Sequence, residues 1–337
     1  MGEREITEPV HLCDSNGRLR PESIGWARSP LIRCDLSHHF MRKKRWNYWC
    51  ISNQDFLLSA TISDLDYAGV VFLYYLDLRT MAFLEKTVVT PLGKGCRMSD
   101  EVNETVEFSS KDLTIAFLNN NGTVDMHINC EDFGGKNMSA SLTIELPPGH
   151  ETLNVVIPWS QERFQFTSKQ NCLPASGTFM VGEQIYEFEQ EHSFACLDFG
   201  RGVWPRYITW NWASLSCRQD EHTLGLNLGA KWTDGTGMTE NALLIDGNIE
   251  KLGENIIFSY EENNLMKPWK LTSEVTDRIK LDFIPLYERV AKSNFGLISS
   301  DVHQMIGRFT GQIKSEKGLT FWISPSLGWA EYHNAKW

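Results

Sequence analysis

Along the chain, apolar residues fall into short alternating or unbroken runs bounded by Gly, Asn, Asp and Pro, and the 3.6-residue period of an amphipathic helix is scarce. DFLLSATIS, AGVVFLYYLDL, MAFLEKTVVT, ETVEFSS, LTIAFLNN, TVDMHINCE and SASLTIEL read as one meander of strands. NNNG at Asn119–Gly122 is a hairpin signal. A turn is expected at Pro174–Gly177. The pattern then restarts with TFMVGEQIYEFEQEHSFACLDFG and runs on through TLGLNLGAKW, ENALLIDGNIEKL, RIKLDFIP and GLTFWISPSLGWAEYHNAKW. So many strands at such close spacing predict an all-β protein made of barrels or sandwiches.

The two halves echo each other. RWNYW at Arg45–Trp49 matches TWNWA at Thr209–Ala213, and each is followed by an apolar run, an acidic loop, an apolar strand ending in Asp, and a Glu-Lys step. From the first tryptophan to that Glu is 39 residues in one half and 40 in the other. A tandem duplication predicts this spacing, and chance alignment of strand-rich sequence is the competing explanation. The boundary is expected near Pro174–Glu183, giving domains of residues 1–178 and 179–337. Each would hold about eight strands, the number that closes a barrel around one small ligand.

Composition narrows function more than fold. With 42% apolar and 22% charged residues, the chain can bury a core, and its net charge of −11 argues against a nucleic-acid partner. The one basic run, MRKKRW at Met41–Trp46, is either a local anion contact or, more commonly for such runs, a solvated strand entry. MGEREITEPVHLCDSNG carries charge where a signal peptide is apolar, and no window approaches the roughly 18 apolar residues of a membrane span, so a cytoplasmic location is expected. The eight cysteines stand singly, which predicts reduced, buried thiols rather than a zinc or redox motif. No P-loop, dinucleotide fingerprint or Gly-X-Ser-X-Gly elbow is present, and no cofactor is expected. His127, Asn129 and Glu131 alternate onto one strand face, as a polar site inside the first barrel or as ordinary strand residues. No second ligand cluster points to a metal. Oligomeric state is left open.

The chemistry concentrates in DFGRGVWPRYITWNWAS, Asp198–Ser214. Gly200 and Gly202 flank Arg201, which reads as a clamp for an anion or carbonyl with Asp198 as orienting partner or acid/base, or as a structural ion pair. Alternation puts Trp210 and Trp212 on one strand face and Asn211 on the other. Two indoles on one face are core, or else the wall of a cavity. Trp46 and Tyr48 repeat the pattern in the first half. The acidic loops add Asp66 and Tyr67, and Asp234, Glu240 and Asn241. A carboxyl among apolar walls has a raised pKa and can donate a proton near neutrality, which makes Asp66 and Glu240 the acid candidates; the competing reading is hairpin acids in water.

The run LDFGRGVWP…TWNWAS…GLNLG…TENALLIDG, with HHFMRKKRWNYWC and ATISDLDYAG, resembles the bacterial family known as domain of unknown function 2804, over nearly the whole chain. More distantly, the β layout and the C-terminal GRFTG…GWAEYHNAKW are similar to the lipocalin-like (calycin) proteins that include carotenoid hydratases and tocopherol cyclase. That resemblance implies two tandem lipocalin-like antiparallel β-barrels with few helices, a hydrophobic small-molecule ligand, and protonation, hydration or cyclisation chemistry. The leading expectation is a cofactor-independent acid/base enzyme (hydratase, dehydratase, isomerase or cyclase) with a tryptophan-lined barrel pocket. In it Asp66, Glu240 or Asp198 would move the proton. Arg201, Asn211, Asn241, Tyr48 and Tyr67 would hold polar groups, and Trp46, Trp204, Trp210 and Trp212 would form the wall. A glycoside-processing enzyme with two carboxylates and a non-catalytic carrier are the alternatives.

Overall fold

In the computed structural model, which describes residues 2–294 and 298–337, the chain forms two tandem, lipocalin-like antiparallel barrels. The first runs from Ala82–Pro91 through Ala68–Asp77, Phe56–Asp64, Lys43–Ser52, Phe194–Val203, Arg163–Val181, Met138–Glu145, Thr123–Cys130, Leu113–Asn119 and Val106–Ser109 to Cys96–Arg97. The second runs from Asn248–Lys251 through Ala242–Ile245, His222–Ala230, Tyr207–Gln219, Thr320–Lys336, Ser299–Lys314, Ile279–Asn294 and Trp269–Ser273 to Ile256–Ser259. Each sheet curls until its far strands return, Val106–Ser109 against Phe56–Asp64 and Ile256–Ser259 against His222–Ala230. Among the described residues the helical structure is a single short turn, Pro21–Ser23.

Side-chain alternation decides the faces. In Thr123–Cys130, Val124, Met126, Ile128 and Cys130 are buried while His127 and Asn129 point out to water. Glu131 is exposed as well, so of the two readings of His127, Asn129 and Glu131 the ordinary strand one holds. Both barrel interiors are filled: Trp49, Ile51, Phe117, Phe166 and Phe199 pack the first, and Leu215, Leu226, Trp269, Phe283 and Phe309 the second. The NNNG hairpin forms as expected, with Asn121 and Gly122 at positive φ and the Asn120 amide donating to the Thr123 carbonyl.

The Pro174–Gly177 turn does not form. Those residues lie inside the 19-residue strand Arg163–Val181. A bulge between Gln170 and Leu173, with Cys172 at φ 58°, bends the strand instead of reversing it. Its first half pairs with Leu153–Ser160 and Phe194–Val203, and its second with Met138–Glu145 and Gln184–Phe188. The division expected after residue 178 therefore falls within one strand. Phe194–Val203 inserts into the first sheet beside Lys43–Ser52, and the chain changes sheet between Val203 and Tyr207.

Candidate functional site

Tyr48, Asp198 and Lys169 sit side by side on three neighbouring strands of the first barrel. Directly opposed residues project to the same side, here away from the filled interior and toward the second barrel. Facing them, Trp212 is opposite Gly229 on one neighbour and Glu331 on the other. The two outer faces thus meet in a seam, and the seam carries the polar and indole side chains that the sequence placed in a barrel cavity. That expectation is corrected: Trp210 and Trp212 lie in the clusters between the barrels.

The seam holds a buried ion cluster. Lys169 Nζ is 2.8 Å from Asp198 Oδ1 and 3.1 Å from Glu240 Oε2, and lies 4.9 Å over the Trp212 ring. Glu240 arrives on the loop after His222–Ala230, and several bonds hold it there. Trp232 Nε1 donates to its Oε1 at 2.6 Å, and Asn227 donates to its carbonyl at 2.7 Å. The next residue, Asn241, accepts from the Gly229 amide and donates to the Glu254 carbonyl. Asn241 is therefore a brace of this loop. Trp212 Nε1 in turn donates to Asn227. Glu240 Oε2, in a residue only 2% exposed, receives no well-angled hydrogen bond.

Two carboxyls share one ammonium in a site shielded from water, and burial favours protonating the deeper one. Burial pushes the Glu240 carboxyl above its ordinary range; the Lys169 charge opposes this, the Asp198 charge reinforces it, and the Trp232 bond opposes it. For Lys169, burial works against the ammonium, but Asp198 and Glu240 outweigh it and hold the group above the ordinary lysine range. The result is a cationic lysine between Asp198 and a buried glutamate whose carboxyl is pushed toward the protonated form.

Gly229 makes room for this acid, because a Cβ built there would collide with the Glu240 carboxyl. We expect Gly229→Ala to displace the carboxyl and cost about 1–3 kcal/mol, read as a lowered unfolding midpoint.

Tryptophans wall the cluster. Trp204 stacks on Trp232 at 5.3 Å and donates to Gln165 Oε1 at 2.6 Å. Trp46 lies 5.6 Å from Trp204, and Trp159 packs against both Trp204 and Trp232. Trp210 donates to Glu331 Oε1 at 2.9 Å and packs on His333. Tyr48 completes a closed ring of bonds with Tyr74 and Gln304, edge-on to Trp212.

Other expected site residues fall elsewhere. Asp66 is a turn residue at φ 75°; its carboxyl accepts from the Arg42 and Lys43 amides and pairs with Lys43 Nζ at 3.3 Å, well apart from the cluster. Asn211 faces the interior of the second barrel, donating to Tyr260 and the Glu331 carbonyl. Arg201 does not pair with Asp198 and is not a free clamp. It is fully buried, and its guanidinium donates to the carbonyls of Ser99, Trp46 and Gly200 and to Asn47. Arg201→Met would strand those acceptors. We expect a loss of about 3–5 kcal/mol of stability, measured by urea unfolding, with no specific effect on ligand affinity. Lys169, the centre of the cluster, went unnoticed in the sequence; its only signal is a run, TSKQN, too polar for a barrel interior.

A cleft of about 520 Å³ is lined by Ser52, Phe56, Phe194, Ser216 and Leu327 among others, at one end of the seam. Asp198 lies four residues along the strand from Phe194, roughly 13 Å further in. Among the described residues no group of His, Cys, Asp or Glu could hold a metal ion, and no helix is long and apolar enough to cross a membrane.

One family model, described as a domain of unknown function (DUF2804), matches residues 3–337. No curated protein matches the chain in sequence. Solved structures share the fold. CghA, in a crystal structure with Sch210972, superposes with a TM-score of 0.53 at 12% identity, covering 87% of this chain and 88% of that one. Kievitone hydratase from Nectria haematococca gives 0.51 at 10% identity, covering 100% and 97%. An AttH-like protein from Nitrosomonas europaea gives 0.50 at 10% identity, covering 87% and 92%.

Proposed function

The chain belongs to the family described as a domain of unknown function (DUF2804), and from its seam we propose a lyase-type enzyme that moves a proton with its own side chains. The substrate is a small organic molecule held between the barrels against the tryptophans, and the reaction is a hydration, dehydration, isomerisation or cyclisation. Glu240 is the proton donor. The observation that carries this reading is its buried Oε2, which lies 3.1 Å from a lysine shared with Asp198 and receives no well-angled hydrogen bond. Lys169 keeps the charge of Asp198 neutralised and stabilises the carboxylate that Glu240 becomes once its proton has left. Trp232 fixes Oε1, so the proton sits on the other oxygen. The hydratase among the solved structures of the same fold supports the reaction class, and the one solved with Sch210972 supports a small-molecule ligand.

What weighs against a glycoside-processing enzyme is that Lys169 occupies the space between the two carboxyls, where that chemistry needs a sugar. A carrier has no use for a buried titratable cluster, which costs stability. The test is to identify the co-purified ligand by native mass spectrometry and incubate it with the protein in D₂O. We expect enzyme-dependent incorporation of deuterium at carbon or a mass change of one water; a ligand returned unchanged sinks the enzymatic reading.

A further inference from the structure

Beyond the tryptophan stack, at the end of the seam away from the large cleft, hydrogen-bond donors gather without acceptors. Lys44, from the basic run MRKKRW, is 2% exposed. Its neighbours Lys43 and Arg45 pair with Asp66 and Asp64. Lys44 makes no ion pair among the described residues: its Nζ has two backbone carbonyls at 3.3 and 3.5 Å and lies 4.6 Å over the Tyr67 ring and 5.4 Å from the Trp337 ring. The Tyr67 hydroxyl and Trp337 Nε1 are buried and have no hydrogen-bond partner. Gln165, on the far side of Gly202 from Lys44 in the same sheet face, is fully buried with its Nε2 equally unpartnered. Buried donors without acceptors are costly and rare, and three of them around an ammonium that has only backbone carbonyls and no counter-charge are the signature of an absent acceptor.

We propose that Lys44, Tyr67, Trp337 and Gln165 form a seat for a carboxylate, and that the substrate handled by Glu240 carries one. The inference rests on the seam being the ligand site. The two ends are joined by the indoles: Trp337 contacts Trp204 at 6.4 Å, Trp204 stacks on Trp232, and Trp232 bonds Glu240. Lys44 is opposite Gly202 and Lys169 opposite Asp198, four residues apart, or about 13 Å along the strand. The substrate class is therefore an elongated, largely apolar carboxylic acid whose reacting carbon lies about that far from its carboxylate. The lysine is the main determinant, since a cation donating to a carboxylate makes the strongest of these bonds.

The experiment uses a fluorescent polyene carboxylate, cis-parinaric acid, against its methyl ester, which has the same length and no charge. We expect the wild-type chain to bind the acid at least about tenfold more tightly at pH 7. Burial lowers Lys44 to about 8, with Asp66 and Asp64 raising and Arg163 lowering it, so the advantage of the acid should fade as pH rises through that value while ester binding stays level. Lys44→Met should abolish the preference and leave ester affinity within about twofold, and Lys44→Arg should retain it. A wild-type chain that does not prefer the acid, or a preference that survives in Lys44→Met, overturns the seat. Glu240→Gln should keep the preference: if the acid is preferred but no proton transfer occurs in D₂O, the seat stands and the reaction falls. The reverse result removes only the seat.

Discussion

Glu240→Gln should reduce turnover of the native ligand by about 10²- to 10⁴-fold, the usual contribution of a positioned general acid. The amide keeps the shape of the protonated acid and can still accept from Trp232, so ligand affinity and the unfolding midpoint should change little. The pH profile supplies the sharper test. A donor must hold its proton, so the wild-type rate should fall as pH rises through a carboxyl value above the ordinary one, in the direction in which burial shifts Glu240; whatever activity the variant retains should lack that limb. Asp66→Asn should leave turnover intact, because its carboxyl caps the Arg42–Lys43 turn rather than reaching the seam. Full turnover in Glu240→Gln would mean that another group donates the proton.

Lys169→Met should be the most destabilising substitution in the seam, by about 3–5 kcal/mol at pH 8, because it leaves the Asp198 carboxylate buried beside Glu240 without a counter-charge. The penalty has a predictable sign with pH. In the wild type the folded-state pKa of Lys169 is raised, so its stabilisation is fully present below the ordinary lysine value and is lost as pH rises through the folded one. In the variant the carboxyls can instead take up protons, so the loss should shrink between pH 8 and pH 5. Adding Asp198→Asn should recover much of it, a coupling that a double-mutant cycle in urea would measure. A penalty that is the same at both pH values, or no recovery in the double variant, would show that Lys169 acts through packing alone.

The second expectation turns on Lys169, a residue the sequence did not flag. Periodicity marked Trp210 and Trp212 as sharing a face, and they do, but it could not say whether that face looked into a barrel or out of one. Glu240 and Asp66 stood out for the same reason, each being an acid in a loop beside apolar strands, and Asp66 is a turn cap. Local sequence treats the two alike, and what separates them is the partner that packs on each. For Asp66 the partners are the Arg42 and Lys43 amides and the Lys43 ammonium at the strand entry. For Glu240 they are Trp232 on its own loop, Lys169 on a distant strand, and the gap left by Gly229.

The sequence by itself determined that the chain is all-β, where most strands and the Asn119–Gly122 hairpin lie, and which residues alternate together, since all of these follow from the two-residue period and from turn chemistry within a few positions. Only the tertiary structure decided that Pro174–Gly177 is strand rather than turn, that Phe194–Val203 returns to the first barrel, and that Arg201 is an internal brace. It also brought Asp198, Lys169 and Glu240 to one point. The physical reason is that a strand has two faces and its sequence names neither. Which face is buried against which neighbour is settled by sheet order and by how two filled barrels pack, and burial is what turns an ordinary glutamate into an acid able to hold a proton.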